Sequence, residues 1–279
     1  MDRERLTITL KKDLLKRLDQ SIDGARIRNR SHAIEYQLNQ SLSPKISKAF
    51  ILAGGRGIQM RPFTYEMPKT MIPVKGRPIL EYTIERLRDA GIRDVLIHTG
   101  HLGEKIRNHF ADGKKYGVNI SYQSEKREQG TAAPLRLAKR YFKNQPFLLH
   151  YGDVLAGIDI ADLIEFHLMT GMAATMGLTS RADNPAEFGV ARLLGMKIVR
   201  FREKPGKGKR VSSLVNSGIY VFEPKIFDYI KKSGYTMLEK DVIPKLVDES
   251  QLSGYVFSGQ WYDVSLPQSY EKAIKEWQQ

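Results

Sequence analysis

The sequence predicts an α/β protein: a doubly wound, mostly parallel sheet preceded by a small strand-helix-helix domain. Three observations carry this. Residues 49–53, Ala-Phe-Ile-Leu-Ala, form an unbroken apolar run, as in a strand buried on both faces, and the run ends in Gly54-Gly55-Arg56-Gly57. Helical and apolar-strand segments then alternate, the pattern of a parallel sheet with crossover helices. Ahead of them, residues 5–10 alternate strictly between polar and apolar, and two amphipathic segments follow.

In the N-terminal segment, Leu6, Ile8 and Leu10 share one strand face and Arg5, Thr7 and Thr9 the other. A helix is expected over 12–22, with Leu14, Leu15, Leu18 and Ile22 on one side, stopped by Asp23-Gly24. Ser31 is the expected N-cap of a second helix with Ala33, Ile34, Leu38 and Leu42 as its stripe. Ser43-Pro44-Lys45 breaks that helix. The division is therefore a domain at 1–43, a linker at 44–47 and a second domain at 48–279. A strand and two helices are too few to hold a core alone, and a lone strand leaves its backbone groups unpaired. Two copies that pair strands and interlock helices remove both problems, so a homodimer or higher assembly is expected.

In the second domain, helices are expected over 81–90 and 103–110, and strands over 94–98 and 147–150. Ligands then belong beyond the carboxyl ends of the strands. Gly-Gly-x-Gly suits close approach of backbone to a nucleotide, but it has neither the dinucleotide spacing nor the Gly-Lys-Ser/Thr of a Walker loop. Cysteine is absent from the 279 residues, which excludes disulfides, thiolate metal sites and cysteine nucleophiles. No apolar run approaches a membrane span, and the charged start is not a signal peptide, so a cytoplasmic location without membrane attachment is expected. The net charge is +14, and residues 1–48 hold 11 Lys and Arg against 6 Asp and Glu. That balance suits nucleic acid or a phosphate-rich ligand. His98, His101 and His150 have no spacing to carboxylates that marks a zinc site, and are read as packing or surface residues.

Residues 4–42, and most specifically Arg30-Ser31-His32-Ala33-Ile34, resemble the ribbon-helix-helix repressors. The resemblance implies paired strands in the major groove of double-stranded DNA. Arg5, Thr7 and Thr9 would face the bases, Lys11 would lie nearby, and the helix start at Ser31 would hold a backbone phosphate. The competing reading is a dimerisation device whose basic residues are solvated.

The second domain carries Leu52-Ala53-Gly54-Gly55-Arg56-Gly57, Pro62-Phe63-Thr64, Pro68-Lys69, Pro73-Val74 and Arg77-Pro78 in order. Further on come Gly130-Thr131-Ala132, Gly152-Asp153, Phe188-Gly189-Val190, Glu203-Lys204-Pro205, Asn216-Ser217-Gly218 and Trp261-Tyr262-Asp263. The series resembles the sugar-1-phosphate nucleotidyltransferases, which join a nucleoside triphosphate to a sugar-1-phosphate on a Rossmann-like sheet. No hexapeptide-repeat stretch follows, so the acyltransferase-fused branches are not expected. The resemblance implies Mg²⁺ held by Asp153 and Asp263, with Lys69 steadying the phosphates. It places Leu52, Ala53, Gly54, Gly55, Gly57, Glu125, Gly130 and Thr131 at the nucleotide, and Gly189, Glu203, Lys204 and Asn216 at the sugar phosphate. Glu128-Gln129-Gly130-Thr131-Ala132, preceded by Glu125, is more similar to the mannose- and heptose-1-phosphate guanylyltransferases, which favours GTP.

Two positions depart from the pattern: the loop arginine of the family falls on Gln59, with Arg56 and Arg61 beside it, and Ser265-Leu266 follows Asp263-Val264 where the family often has Gly-Thr. Three readings follow: an active enzyme that also binds DNA, a transcriptional regulator sensing a nucleotide through an impaired site, and an enzyme using the N-terminal domain only to dimerise.

Overall fold

The computed structural model describes residues 7–24, 27–42, 46–125, 128–181, 185–206 and 212–278. The chain forms two compact units, Met1–Lys45 and Ile46–Gln279.

In the first unit, helix α1 (Lys12–Gln20) packs on α2 (Arg30–Leu42). Arg30 reaches Asp19 through hydrogen bonds of 2.7 and 2.8 Å. Helix α1 stops before Ile22, where the Ser21 hydroxyl turns back to donate to the Leu18 carbonyl at 2.6 Å. The N-cap of α2 is Asn29 rather than Ser31. Asn29 Oδ1 accepts from the His32 amide and the Asn29 carbonyl from the Ala33 amide, each at 2.9 Å. Asparagine caps as well as serine and lies two residues earlier, so Ser31 stands exposed inside the first turn. Of the expected strand, Arg5 and Leu6 lie outside the described residues, and 7–10 form no strand. A strand needs a ladder partner, which the expectation took from a second copy. Ala33 and Ile27 are buried, but Ile8, Leu14 and Leu38 are 44%, 46% and 47% exposed. The expected linker at 44–47 falls partly outside the described residues.

The second unit begins with β1 (Lys48–Ala53), α3 (Phe63–Glu66), the short pair β2 (Pro73–Val74) and β3 (Arg77–Pro78), and α4 (Ile79–Asp89). It continues through β4 (Asp94–Thr99), α5 (Gly103–Phe110), β5 (Asn119–Ser124), α6 (Ala133–Leu137), α7 (Lys139–Phe142) and β6 (Phe147–Tyr151). Then come β7 (Val154–Ala156), α8 (Ile160–Thr170), β8 (Ala174–Ser180), β9 (Val190–Leu194), β10 (Lys197–Arg202) and β11 (Leu214–Phe222). The last elements are α9 (Ile226–Tyr229), α10 (Ile243–Asp248), β12 (Leu252–Phe257), β13 (Trp261–Asp263) and α11 (Pro267–Glu276).

Nine strands form one sheet in the order β5-β4-β1-β6-β11-β8-β12-β10-β9. Seven run the same way; β11 and β10 run against them. The sheet is mostly parallel in strand direction, as expected, but the two reversed strands make half of the ladders in that order antiparallel. A long strand buried on both faces shows the same apolar run whichever way its neighbours point. Both faces are covered, as double winding requires. Ala49, Ile51 and Ala53 pack with Leu80, Ile84 and Leu87 of α4, Ile106 and Phe110 of α5, and Leu163 of α8. Phe50 faces the other way, with Leu135, Phe142, Ile226, Phe227 and Leu246. The chain leaves β1 toward β4 on one side and returns to β6 on the other, so the switch point lies between β1 and β6. Among the described residues no helix is long and apolar enough to cross a membrane.

Candidate active site

The glycine-rich loop leaves β1 at this switch point. Gly152, just after β6, donates its amide to the Leu52 carbonyl at 2.9 Å, which ties the two strand ends together. Gly54 lies against the His98 ring: a Cβ there would sit 2.9 Å from His98 Cδ2. Gly100, which the sequence did not single out, packs its backbone on the same loop. A methyl there would meet the Gly54 carbonyl oxygen at 2.2 Å. Gly100→Ala is expected to cost about 2 kcal/mol of stability, read as a lowered midpoint in thermal melting. Gly57 turns with φ of 61°, and its carbonyl accepts from the Thr64 hydroxyl at 2.8 Å.

The charged centre is assembled from three separate stretches. Lys69 sits on a 3₁₀ turn, Asp153 follows β6, and Asp263 ends β13. The short ribbon β13–β7 brings the aspartates together by pairing Asp263 with Val154. The Lys69 ammonium forms an ion pair with Asp153 Oδ2 and donates to Ser265 Oγ at 2.9 Å. Ser265 Oγ in turn donates to Asp153 Oδ2 at 3.0 Å, and its amide donates to Asp263 Oδ1 at 2.9 Å. Burial works against both charges of the pair, but mutual attraction wins: Lys69 is held above its ordinary range and Asp153 below its own. For Asp263 the relief from Ser265 and Lys69 is the smaller effect. Burial, and then the Asp153 charge, raise its carboxyl.

The sugar-side candidates gather around β11. The Asn216 amide donates to the Gly189 carbonyl at 2.8 Å, and Asn216 Nδ2 donates to the Tyr220 hydroxyl at 2.6 Å. A Cβ on Gly189 would meet Phe201 Cζ at 2.5 Å and Glu203 Oε2 at 2.7 Å. Burial, and then the charge of Glu239, raise Glu203. Lys204 is exposed with a left-handed φ of 42°, its amide held by the Phe188 carbonyl at 3.2 Å.

Among the residues expected at the nucleotide, Gly130 has φ of 91°, and a side chain there would run into the Thr236 carbonyl at 2.4 Å. The Thr131 hydroxyl is already engaged, donating to Glu239 Oε2 at 2.7 Å and accepting from the Leu238 amide at 2.8 Å. Glu239 is buried and also accepts from the Tyr151 hydroxyl. Arg56 lies 3.6 Å from Glu128, Arg61 stacks over Tyr65 at 4.9 Å, and Gln59 and Gly55 are exposed. Sequence reading missed the part played by Ser265, Gly100 and Glu239, and the engagement of His98, which faces the Glu125 carboxylate at 3.3 Å. His98 and Glu125 have no spacing motif; they meet because adjacent strands β4 and β5 end side by side. His150 is buried and His101 is exposed with Nε2 3.0 Å from the Thr64 carbonyl oxygen.

Two acids, a lysine and a glycine-lined loop thus meet at the switch point of an open α/β sheet, where sheets of this class bind ligands. The chain belongs to the nucleotidyl transferase family, whose sequence model matches residues 48–279. It is 33% identical over 243 residues to a UTP–glucose-1-phosphate uridylyltransferase of Synechocystis, covering 82% of this chain and 62% of that protein. It is also 33% identical over 229 residues to a mannose-1-phosphate guanyltransferase of Saccharomyces cerevisiae, covering 80% of this chain and 62% of the other. The chain thus spans about 62% of the length of these curated relatives. Among solved structures, one described as a glucose-1-phosphate thymidylyltransferase from Bacillus anthracis superposes with a TM-score of 0.76 at 29% identity. The match covers 82% of this chain and 94% of that one. HddC from Yersinia pseudotuberculosis, at 22% identity and TM-score 0.70, covers 82% and 99% and shares the fold.

Proposed function

We propose that the second unit transfers a nucleotidyl group from a nucleoside triphosphate to a sugar-1-phosphate. The observation that carries this is the convergence of Lys69, Asp153 and Asp263 beside the glycine loop. A phosphate oxygen of the sugar-1-phosphate bonds to the α-phosphorus. The bond from that phosphorus to the β-phosphate bridging oxygen breaks, and pyrophosphate leaves with the electron pair. Lys69 steadies the phosphates, while Glu203 and Asn216 hold sugar hydroxyls. Lys204 contacts the sugar phosphate, and Gly189 lets the sugar lie against backbone. Leu52, Ala53, Gly54, Gly55, Gly57 and Gly130 line the nucleotide.

Asp153 and Asp263 would hold Mg²⁺. Their chemistry fits: two half-buried carboxylates press on each other, with one already raised. Mg²⁺ takes one or two carboxylates and completes its shell with water and phosphate. When bound it supplies positive charge between the reacting phosphates. The Glu125 carboxylate favours guanine, whose N1–H and N2–H donors lie side by side. The test is pyrophosphate release over a matrix of triphosphates and sugar-1-phosphates with Mg²⁺. Turnover on the order of 1 s⁻¹ is expected. No turnover in protein that still binds nucleotide would overturn catalysis and favour the regulator, in which ligand binding shifts DNA affinity.

For the first unit we propose dimerisation and DNA binding. Exposed Ile8, Leu14 and Leu38 on a unit too small for its own core support the pairing. Exposed Thr7, Thr9 and Lys11, together with Arg5, support the DNA face. Duplex binding by the full chain should weaken steeply with salt and be lost with Arg5→Ala. Dimers without duplex binding would reduce the unit to an assembly device.

A further inference from the structure

We propose that His98 is a positioning residue that aims the Glu125 carboxylate at a base edge with adjacent N–H donors, as the middle member of a relay Gln123–His98–Glu125. The inference rests on the reading of Glu125 as a base contact.

The geometry begins with the ladder. Strands β4 and β5 are parallel neighbours, and His98 stands opposite Gln123 in their register. Gln123 Nε2 donates to the Pro134 carbonyl at 2.9 Å, which fixes the amide, and the same nitrogen lies 3.5 Å from His98 Nδ1. A donor facing Nδ1 selects the tautomer in which Nε2 carries the proton. That Nε2 faces Glu125 Oε1 at 3.3 Å. Burial pushes His98 down to about 4, so the ring is neutral, and its Nε2 is turned toward the carboxylate without closing a hydrogen bond.

The pair is costly as it stands. The His98 and Glu125 side chains are 3% and 10% exposed. Among the described residues, His98 Nε2 and Glu125 Oε2 are buried without a hydrogen-bond partner. Buried polar atoms left unpaired are expensive, and are kept where a ligand completes them. The ring also lies directly beneath Gly54, so no side chain of the glycine loop separates it from the loop's backbone. The Gln129 backbone amide also hydrogen-bonds the carboxylate. A carboxylate held in orientation by these neighbours, with Oε2 still unpaired, can offer its two oxygens to two neighbouring N–H groups. Guanine presents such a pair. Uracil and thymine flank one N–H with two carbonyl oxygens, which a fixed carboxylate repels.

The test is nucleotide selectivity of the full chain, from dissociation constants for GTP and UTP by calorimetry and from KM and kcat with each. The wild type should prefer GTP. His98→Phe keeps a buried ring but no donor, and should cut the preference about tenfold, through KM rather than kcat. His98→Gln, which restores a donor, should recover most of it. Gln123→Leu lies away from the loop and should shift selectivity the same way, so the relay stays testable if His98→Phe does not fold. A wild type that prefers UTP would sink the base reading itself. Suppose instead that it prefers GTP, and Glu125→Gln erases the preference while His98→Phe and Gln123→Leu leave it intact. Then the relay is wrong and the Glu125 reading stands. A His98→Phe variant weakened equally toward both nucleotides, with no rescue by glutamine, would make His98 a packing residue.

Discussion

Asp263→Asn should lower kcat by about a thousandfold and at the same time raise the melting temperature in metal-free buffer at pH 7. The loss follows from removing one of the two carboxylates proposed to hold the metal. The gain follows from the raised state of Asp263, caused first by burial and then by the Asp153 charge. An acid whose pKa is higher folded than unfolded destabilises the fold once the pH exceeds the unfolded value. A neutral amide removes that cost, and its carbonyl oxygen still accepts from the Ser265 amide. The stabilisation should fade as the pH falls below the ordinary carboxylate range, where Asp263 is already protonated. Asp153→Asn should lose activity equally but melt lower. It leaves the Lys69 ammonium, with a side chain 17% exposed, without its charged partner. Breaking a buried pair from one side costs about 3 kcal/mol. Melting curves of the two variants that moved in the same direction would contradict this assignment of which carboxylate is satisfied.

The second large effect runs the other way. Gln59→Arg should raise kcat by about a hundredfold, the value of one charge-assisted contact to a departing pyrophosphate. Its neighbours are engaged elsewhere: Arg56 lies 3.6 Å from Glu128, and Arg61 rests on the Tyr65 ring. Gln59 is exposed on the turn Ile58–Met60, so a longer cationic side chain meets no packing barrier. Steady-state kinetics decide the point. An unchanged kcat would assign the missing charge to Arg56 or Arg61, and Arg56→Gln or Arg61→Gln would then be the damaging change.

The elements with one-sided chemistry were legible in the residues. The run at 49–53, the helix at Gly103–Phe110 and the strand ending before Gly152-Asp153 lie where periodicity places them. Strand direction was not legible, because β11 is buried on both faces whichever way it runs. The site was legible only in part. Asp153 and Asp263 announce themselves beside strands, but their meeting depends on a three-residue ribbon between β7 and β13 that no local pattern encodes. Ser265 gains its place only through that ribbon. His98 reads as a core histidine until β5 brings Glu125 beside it. Asn29 and Ser31 are equally good caps by chemistry, and where the backbone enters the helix chose between them.

The ribbon also sets the second acid apart from the sheet. Every strand of the nine-stranded sheet lies before residue 258, and the strand that carries Asp263 comes after all of them. The Lys69–Asp153 pair is made by segments that precede this strand, whereas Asp263 joins the site through three ladder pairs with β7. The repulsion between the carboxylates thus acts across a short ribbon and not across the sheet, and a change that loosens the ribbon should part the acids while the sheet stays intact.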